Sequence, residues 1–147
     1  LSGMAETLND LVTKEKIPVL GVCVGMQIMA NSSDEGKLPG LGWIDAEVKR
    51  FDVTNFKEKI PVPHMGWNNV SVKKQCKLFA GIDKPKYYFL HSYYVKMHNE
   101  TDIIGLSSYG IQFASAIRSS NIFATQFHPE KSHQWGISLL KNFAELC

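Results

Sequence analysis

The stretch Ile17-Pro18-Val19-Leu20-Gly21-Val22-Cys23-Val24-Gly25-Met26-Gln27 decides how the rest of the chain is read. A short apolar run, Val19 to Val22, enters it and an apolar-periodic run, Gln27 to Ala30, leaves it, so Cys23 falls where a buried strand turns sharply into a helix. Glycines on either side let strand and helix approach closely enough for a strained turn that lifts the side chain above the sheet edge. At such a turn the thiol faces a helix N-terminus, whose free N–H groups favour a thiolate, and the Val24 N–H is the expected oxyanion donor. A lone G-x-C-x-G is only moderately specific, and an arbitrary cysteine is more often inert core. It needs a base from elsewhere.

Phe127-His128-Pro129-Glu130 supplies one, following the apolar run Ile122 to Thr125 that reads as another strand. In extended backbone residues two apart point the same way, so Glu130 is placed to hold one ring nitrogen of His128 while the other addresses Cys23. Together these make a Cys23/His128/Glu130 set of nucleophile, base and orienter.

Outward from this centre the chain is an ordinary globular one. Of its 147 residues 44% are apolar and 20% charged, and the net charge of +2 comes from scattered pairs such as Lys49/Arg50, which points to neither nucleic acid nor membrane as a partner. Three widely spaced cysteines, Cys23, Cys76 and Cys147, suggest no disulfide framework and a reducing, cytoplasmic setting. The five histidines form no plausible zinc set, so neither metal nor cofactor is expected. No apolar stretch approaches a membrane span.

Met4, Leu8, Leu11 and Val12 make an amphipathic helical stripe, and the first strand arrives only at Val19. Because a strand like Val19–Val22 is expected to have neighbours on both sides, the chain reads as a single domain, 1–147, that lacks an N-terminal strand. Ile44, Ala46 and Val48 alternate with polar residues as a half-buried strand, and Asp52 to Lys59 reads as an exposed hairpin or loop. Pro61 to Asn68 reads as an extended surface loop presenting His64, Trp67 and Asn68, with core packing and partner contact as the two readings of these side chains. Tyr87 to Val95 reads as one β-prone run, with Phe89, His91, Tyr93 and Val95 on one face. Ile103–Tyr109, Phe113–Arg118 and Ile122–Phe127 follow as antiparallel hairpin strands. Ser132 is the expected cap of a helix over Trp135 to Glu145 that buries Ile137, Leu140 and Phe143 or Ala144.

The segments Gly21 to Gln27, Pro63-His64-Met65-Gly66-Trp67-Asn68 and Phe127 to Ser132 together resemble the class I glutamine amidotransferases, and more narrowly the glutaminase subunits of imidazole glycerol phosphate synthase. The resemblance implies a flavodoxin-like α/β fold: a mixed, mostly parallel central sheet flanked by helices, with antiparallel strands in the C-terminal half. It implies that Cys23 attacks the side-chain amide of L-glutamine, that Gly25, Gln27, His91, Ser92 and Tyr93 line the glutamine pocket, and that Met65, Trp67, Asn68 and Lys131 contact a synthase subunit built as a β/α barrel. In family members an N-terminal strand is followed by a glycine-rich loop that completes the oxyanion hole, and both are absent from this sequence. Relatives supply ammonia either to histidine biosynthesis or to amidino-sugar synthesis on bacterial surfaces. Two readings from other classes stand beside this one: a cysteine hydrolase of another acyl substrate, and an inactive scaffold.

Overall fold

The computed structural model describes residues 3–56 and 59–147, so Lys57 and Glu58 of the expected 52–59 loop lie outside the described residues. Helix α1 (Gly3–Thr13) leads to strand β1 (Val19–Val22), and the turn at Cys23 leads into the short helix α2 (Val24–Ile28). Strands β2 (Ser32–Ser33), β3 (Ala46–Arg50), β4 (His64–Asn69), β5 (Ser71–Val72), β6 (Lys86–His91), β7 (Tyr93–Met97), β8 (Ile103–Tyr109), β9 (Ile111–Ser119) and β10 (Ile122–Thr125) follow, and helix α3 (His133–Leu146) closes the chain.

The main sheet runs β1-β10-β9-β7-β3-β2, with β8 and then β5 joined to it through β9. It is mixed, as expected, but its parallel pairs are β1–β10 and β2–β3, and the remaining pairs are antiparallel. The parallel share is therefore smaller than the resemblance implies among the described strands. Within the described residues β1 pairs with β10 alone, not on both sides.

Alternation along β10 shows how the sheet divides the core. Ile122 and Ala124 face a cluster with Val12, Met26, Met29, Val48 and Val95, whereas Phe123 faces one with Tyr87, Phe89, Phe113, Phe127 and Leu139. Both faces of the strand are thus covered, which accounts for the apolar run Ile122 to Ala124. The aromatic side is held by close ring contacts, the tightest being Tyr87 stacked on Phe127 at 3.9 Å between centroids.

Expectations for the two β-prone segments and for both long helices are corrected. The Tyr87–Val95 run is not one strand but breaks at Ser92: β6 pairs with β4 in a separate two-stranded sheet, and β7 joins the main sheet. Pro61–Asn68 is not a surface loop, because His64 to Asn69 forms β4, antiparallel to β6 over its whole length. Helix α3 turns a different stripe inward, burying Gly136 and Leu139 while Ile137 stays 67% exposed. The last has a visible cause. A Cβ on Gly136 would lie 1.8 Å from the Pro129 carbonyl oxygen, so the helix packs there on backbone, and that contact sets its rotation. In α1 only Val12 of the expected stripe is buried.

Candidate active site

Cys23 is held in a conformation that L residues seldom adopt, φ 52° and ψ −108°, at the junction of β1 and α2. Its N–H donates to the Thr125 carbonyl at 2.8 Å, and Met26 and Gln27 N–H groups return to the Cys23 carbonyl, so both chain ends of the turn are fixed. Gly21 permits the packing: a Cβ there would come within 2.8 Å of the Gly25 carbonyl oxygen and the Met29 methyl group. Gly25 does not share this role, since a Cβ on it would meet nothing, nor does it line the cavity described below.

The thiol has two hydrogen-bond partners, the Leu90 carbonyl at 3.8 Å and the Gln126 side-chain amide nitrogen at 3.7 Å. Burial pushes its pKa above the ordinary value, outweighing the Val24 N–H and Gln126, which lower it; the Glu130 charge adds to the rise and the Lys131 charge opposes it. The expected thiolate-favouring balance is therefore reversed in this resting geometry.

His128 follows β10 at the start of a turn, Pro129–Lys131, and its Nδ1 lies 2.7 Å from Glu130 Oε1. The turn is anchored at both ends. The His128 N–H donates to the Tyr88 carbonyl at 2.8 Å, and the Ser132 hydroxyl donates to the His128 carbonyl while accepting from the Tyr88 N–H. Ser132 stands at the N-cap position of α3, yet its hydroxyl serves this turn and not the helix. Glu130 is half-exposed, with its side chain 50% accessible, whereas that of His128 is 17% accessible.

A cavity of about 370 Å³ opens beside Cys23, lined by Val24, Gln27, Glu35, Leu90, Ser92 and Tyr93 among others. Gln27 uses its amide nitrogen twice, to the Tyr93 carbonyl and to Gln126 Oε1, each at 3.1 Å. His91 also lines the cavity, but both ring nitrogens are engaged, with His64 and with the Tyr93 carbonyl, so its imidazole has no bond left for a ligand. Sequence reasoning missed Glu35 and Gln126. Glu35 is a carboxylate at the mouth of the cavity; its only sequence signal is an acid in a polar loop a short way beyond the nucleophile. Gln126, fully buried in an otherwise apolar run, was legible as a polar residue that requires partners.

Of the expected contact residues, Met65 and Trp67 are exposed on one face of β4, across from Leu90 and Tyr88 of β6. Lys131 lies over the Tyr88 ring, and Trp67 stacks on His133 at 5.4 Å. Asn68 belongs to the opposite face, where its amide nitrogen bonds the Ser108 carbonyl and His64. Among the described residues no group of three or more metal-ligating side chains is poised around a common point, and no helix is long and apolar enough to cross a membrane.

The family model for glutamine amidotransferase class-I matches residues 1–146, and the chain belongs to this family. Within it, the chain is 51% identical to imidazole glycerol phosphate synthase subunit HisH of Leptospira interrogans over 99% of its length and 72% of the relative's. It is 49% identical to the subunit of the same name from Bdellovibrio bacteriovorus, over the same shares. The fold is likewise similar to that of a glutamine amidotransferase from Thermotoga maritima, with a TM-score of 0.62 at 18% identity, over 97% of this chain and 54% of that one.

Proposed function

We propose that this chain is the glutaminase of a two-subunit synthase, hydrolysing L-glutamine and handing the ammonia to a β/α-barrel partner, in histidine biosynthesis and in the cytoplasm. The observation that carries the reading is Cys23 on its strained turn at the end of β1, with the His128–Glu130 pair just beyond the end of β10, the strand that pairs in parallel with β1.

In this reading His128 takes the thiol proton, and the sulfur attacks the side-chain amide carbon of glutamine. The Val24 N–H receives the charge that develops on the amide oxygen. The C–N bond breaks as His128 returns the proton to the leaving nitrogen, and ammonia departs. His128 then deprotonates a water, which cleaves the thioester to glutamate and restores the thiol. A thiol whose pKa is raised by burial depends on that base, which fits the pairing of His128 with Glu130. Gln27 presents its carbonyl oxygen to the substrate, and Glu35 is suited to the α-ammonium group.

Met65, Trp67, Tyr88, Leu90 and Lys131 form the partner face. Aromatic and aliphatic side chains exposed together around one cation are the composition expected of an interface core. The face touches the reacting centre through Leu90, whose carbonyl meets the thiol.

The test compares nitrogen donors in the reconstituted complex. Glutamine and ammonium should both support synthesis by the wild type, and only ammonium should support it in Cys23→Ala. Loss of the ammonium-dependent reaction in that variant, or synthesis from glutamine without glutamate release, would overturn the division of labour.

A further inference from the structure

Two buried histidines have no part in the chemistry above. His64 on β4 is 3% exposed and His91 on β6 is 6% exposed; they are register partners, with His64 Nδ1 2.9 Å from His91 Nε2. Their protons can be assigned from the groups at either end. His91 Nδ1 is 2.7 Å from the Tyr93 carbonyl, which can only accept, so His91 carries its proton on Nδ1 and accepts at Nε2. His64 must then donate from Nδ1 and accept at Nε2, where the Asn68 amide nitrogen lies at 3.3 Å. Asn68 cannot be turned over: its Nδ2 also donates to the Ser108 carbonyl at 2.9 Å, and its Oδ1 accepts the Asn69 N–H at 2.8 Å.

Every bond in the chain therefore points the same way, and one proton on each ring satisfies it. Burial keeps both imidazoles neutral: His64 is lowered to about 3, with the His91 charge adding to the fall, and His91 to about 4, where the Tyr93 carbonyl opposes the fall and the His128 charge adds to it. The chain ends at the wall of the cavity beside Cys23. The Tyr93 carbonyl that accepts from His91 also accepts from Gln27, and the residue before His91 gives its carbonyl to the Cys23 thiol.

We propose that His64 and His91 are positioning residues: a one-way hydrogen-bond relay from Asn68 through both rings to the Tyr93 carbonyl holds the Leu90–Tyr93 wall of the glutamine pocket. The relay rests on the glutaminase reading for the identity of its ligand, but not for its geometry. It starts on the inner side of the strand whose outer side carries Met65 and Trp67, so the pocket wall and the proposed partner face share one support.

The test uses His64→Leu and His64→Asn in the protein as expressed from its own gene, complexed with its synthase. Leucine leaves His91 Nε2 buried without a donor; the asparagine amide nitrogen takes nearly the place of imidazole Nδ1 and keeps the donor. Loss of one buried hydrogen bond predicts a glutamine KM raised about tenfold in His64→Leu, with kcat within about threefold, and recovery of most of the KM in His64→Asn. Alkylation of Cys23 by iodoacetamide, read by peptide mass, should speed up about threefold in the leucine variant only, because a loosened Leu90 carbonyl no longer favours the protonated thiol.

Unchanged KM and alkylation in His64→Leu, or equal shifts in both variants, would overturn the relay. Should His64→Leu fail to fold, Asn68→Ala carries the test: without its donor His64 is free to move its proton to Nε2, which sets two acceptors against each other at the His91 contact. That variant is expected to raise KM in the same direction, and a wild-type KM would count against the proposal. If the wild type released no glutamate while the alkylation difference persisted, the relay would stand and the glutaminase reading would fall.

Discussion

Cys23 and His128 are tied to the same strand two residues apart: the Cys23 thiol meets the Leu90 carbonyl, and the His128 N–H donates to the Tyr88 carbonyl. Two residues along a strand span roughly 7 Å, so β6 acts as the spacer between the proposed nucleophile and the proposed base. The parallel register of β1 and β10, which sets Val22 beside Thr125, brings the two strand ends to that spacer.

The His128–Glu130 bond gives a prediction about the base. Glu130→Gln keeps the size but removes the charge that supports a protonated imidazole. Because Glu130 is half-exposed, the expected loss in glutaminase kcat is about 10- to 100-fold, smaller than for a buried orienter. Steady-state glutamate release measures it; an unchanged kcat would remove Glu130 from the mechanism.

Gln126 links Gln27 to the thiol, and it is fully buried. Gln126→Leu removes a donor that lowers the Cys23 pKa and leaves Gln27 with one buried partner fewer, at a cost of about 1–3 kcal/mol in stability. The pH profile of Cys23 alkylation should move to higher pH. A profile that stays in place would show that Gln126 supports packing alone.

How much of this was legible follows from which residues carry it. The strand-turn-helix at Cys23 and the hairpins of β8, β9 and β10 were readable because apolar runs and alternation are local signals. Strand β4 was not, because its inward residues are His64, Gly66 and Asn68, and nothing in their polarity marks a buried face. Their burial is made possible by bonds to His91 and Ser108, on strands far along the chain. The rotation of α3 was hidden for the same kind of reason, since a glycine contact on a carbonyl has no hydrophobic signature.

That contact is itself testable. Gly136→Ala puts a methyl group into the Pro129 backbone, so it should destabilise the fold by about 1–3 kcal/mol, and it should also lower kcat because Pro129 belongs to the His128 turn. Urea unfolding and glutamate release check the two parts; a neutral effect on both would mean that α3 slides freely over this turn.

The buried histidine pair predicts how stability depends on pH. Both imidazoles titrate near 6.5 when unfolded, and at about 3 and about 4 when folded, the depression coming first from burial. Between those limits the unfolded chain binds protons that the folded chain does not, so this stability is complete above about pH 6.5 and is lost as the pH falls toward 4. The groups facing the pair are Asn68, the Tyr93 carbonyl, the rings of Phe51, Phe89, Tyr109 and Phe113, and the His128 charge, which lowers His91 further. Urea midpoints should fall from pH 7 to pH 5 and fall less in His64→Leu. A flat profile in the wild type would contradict the assignment.

Trp67 separates interface from fold. It is 41% exposed and stacks on His133, so Trp67→Ala should leave the melting temperature nearly unchanged while weakening the synthase complex by about 10- to 30-fold in Kd, as for an interface anchor. Titration calorimetry decides this, and equal affinity would move the partner face elsewhere.

The central claim, that Cys23 is the nucleophile of a glutamine pocket, is tested most directly by an electrophilic glutamine analogue followed by intact mass and peptide mapping. One label per chain on Cys23, prevented by L-glutamine and not by L-glutamate at the same concentration, is the predicted result. Labelling of Cys76 or Cys147 in its place, or labelling of Cys23 that glutamine does not slow, would contradict it.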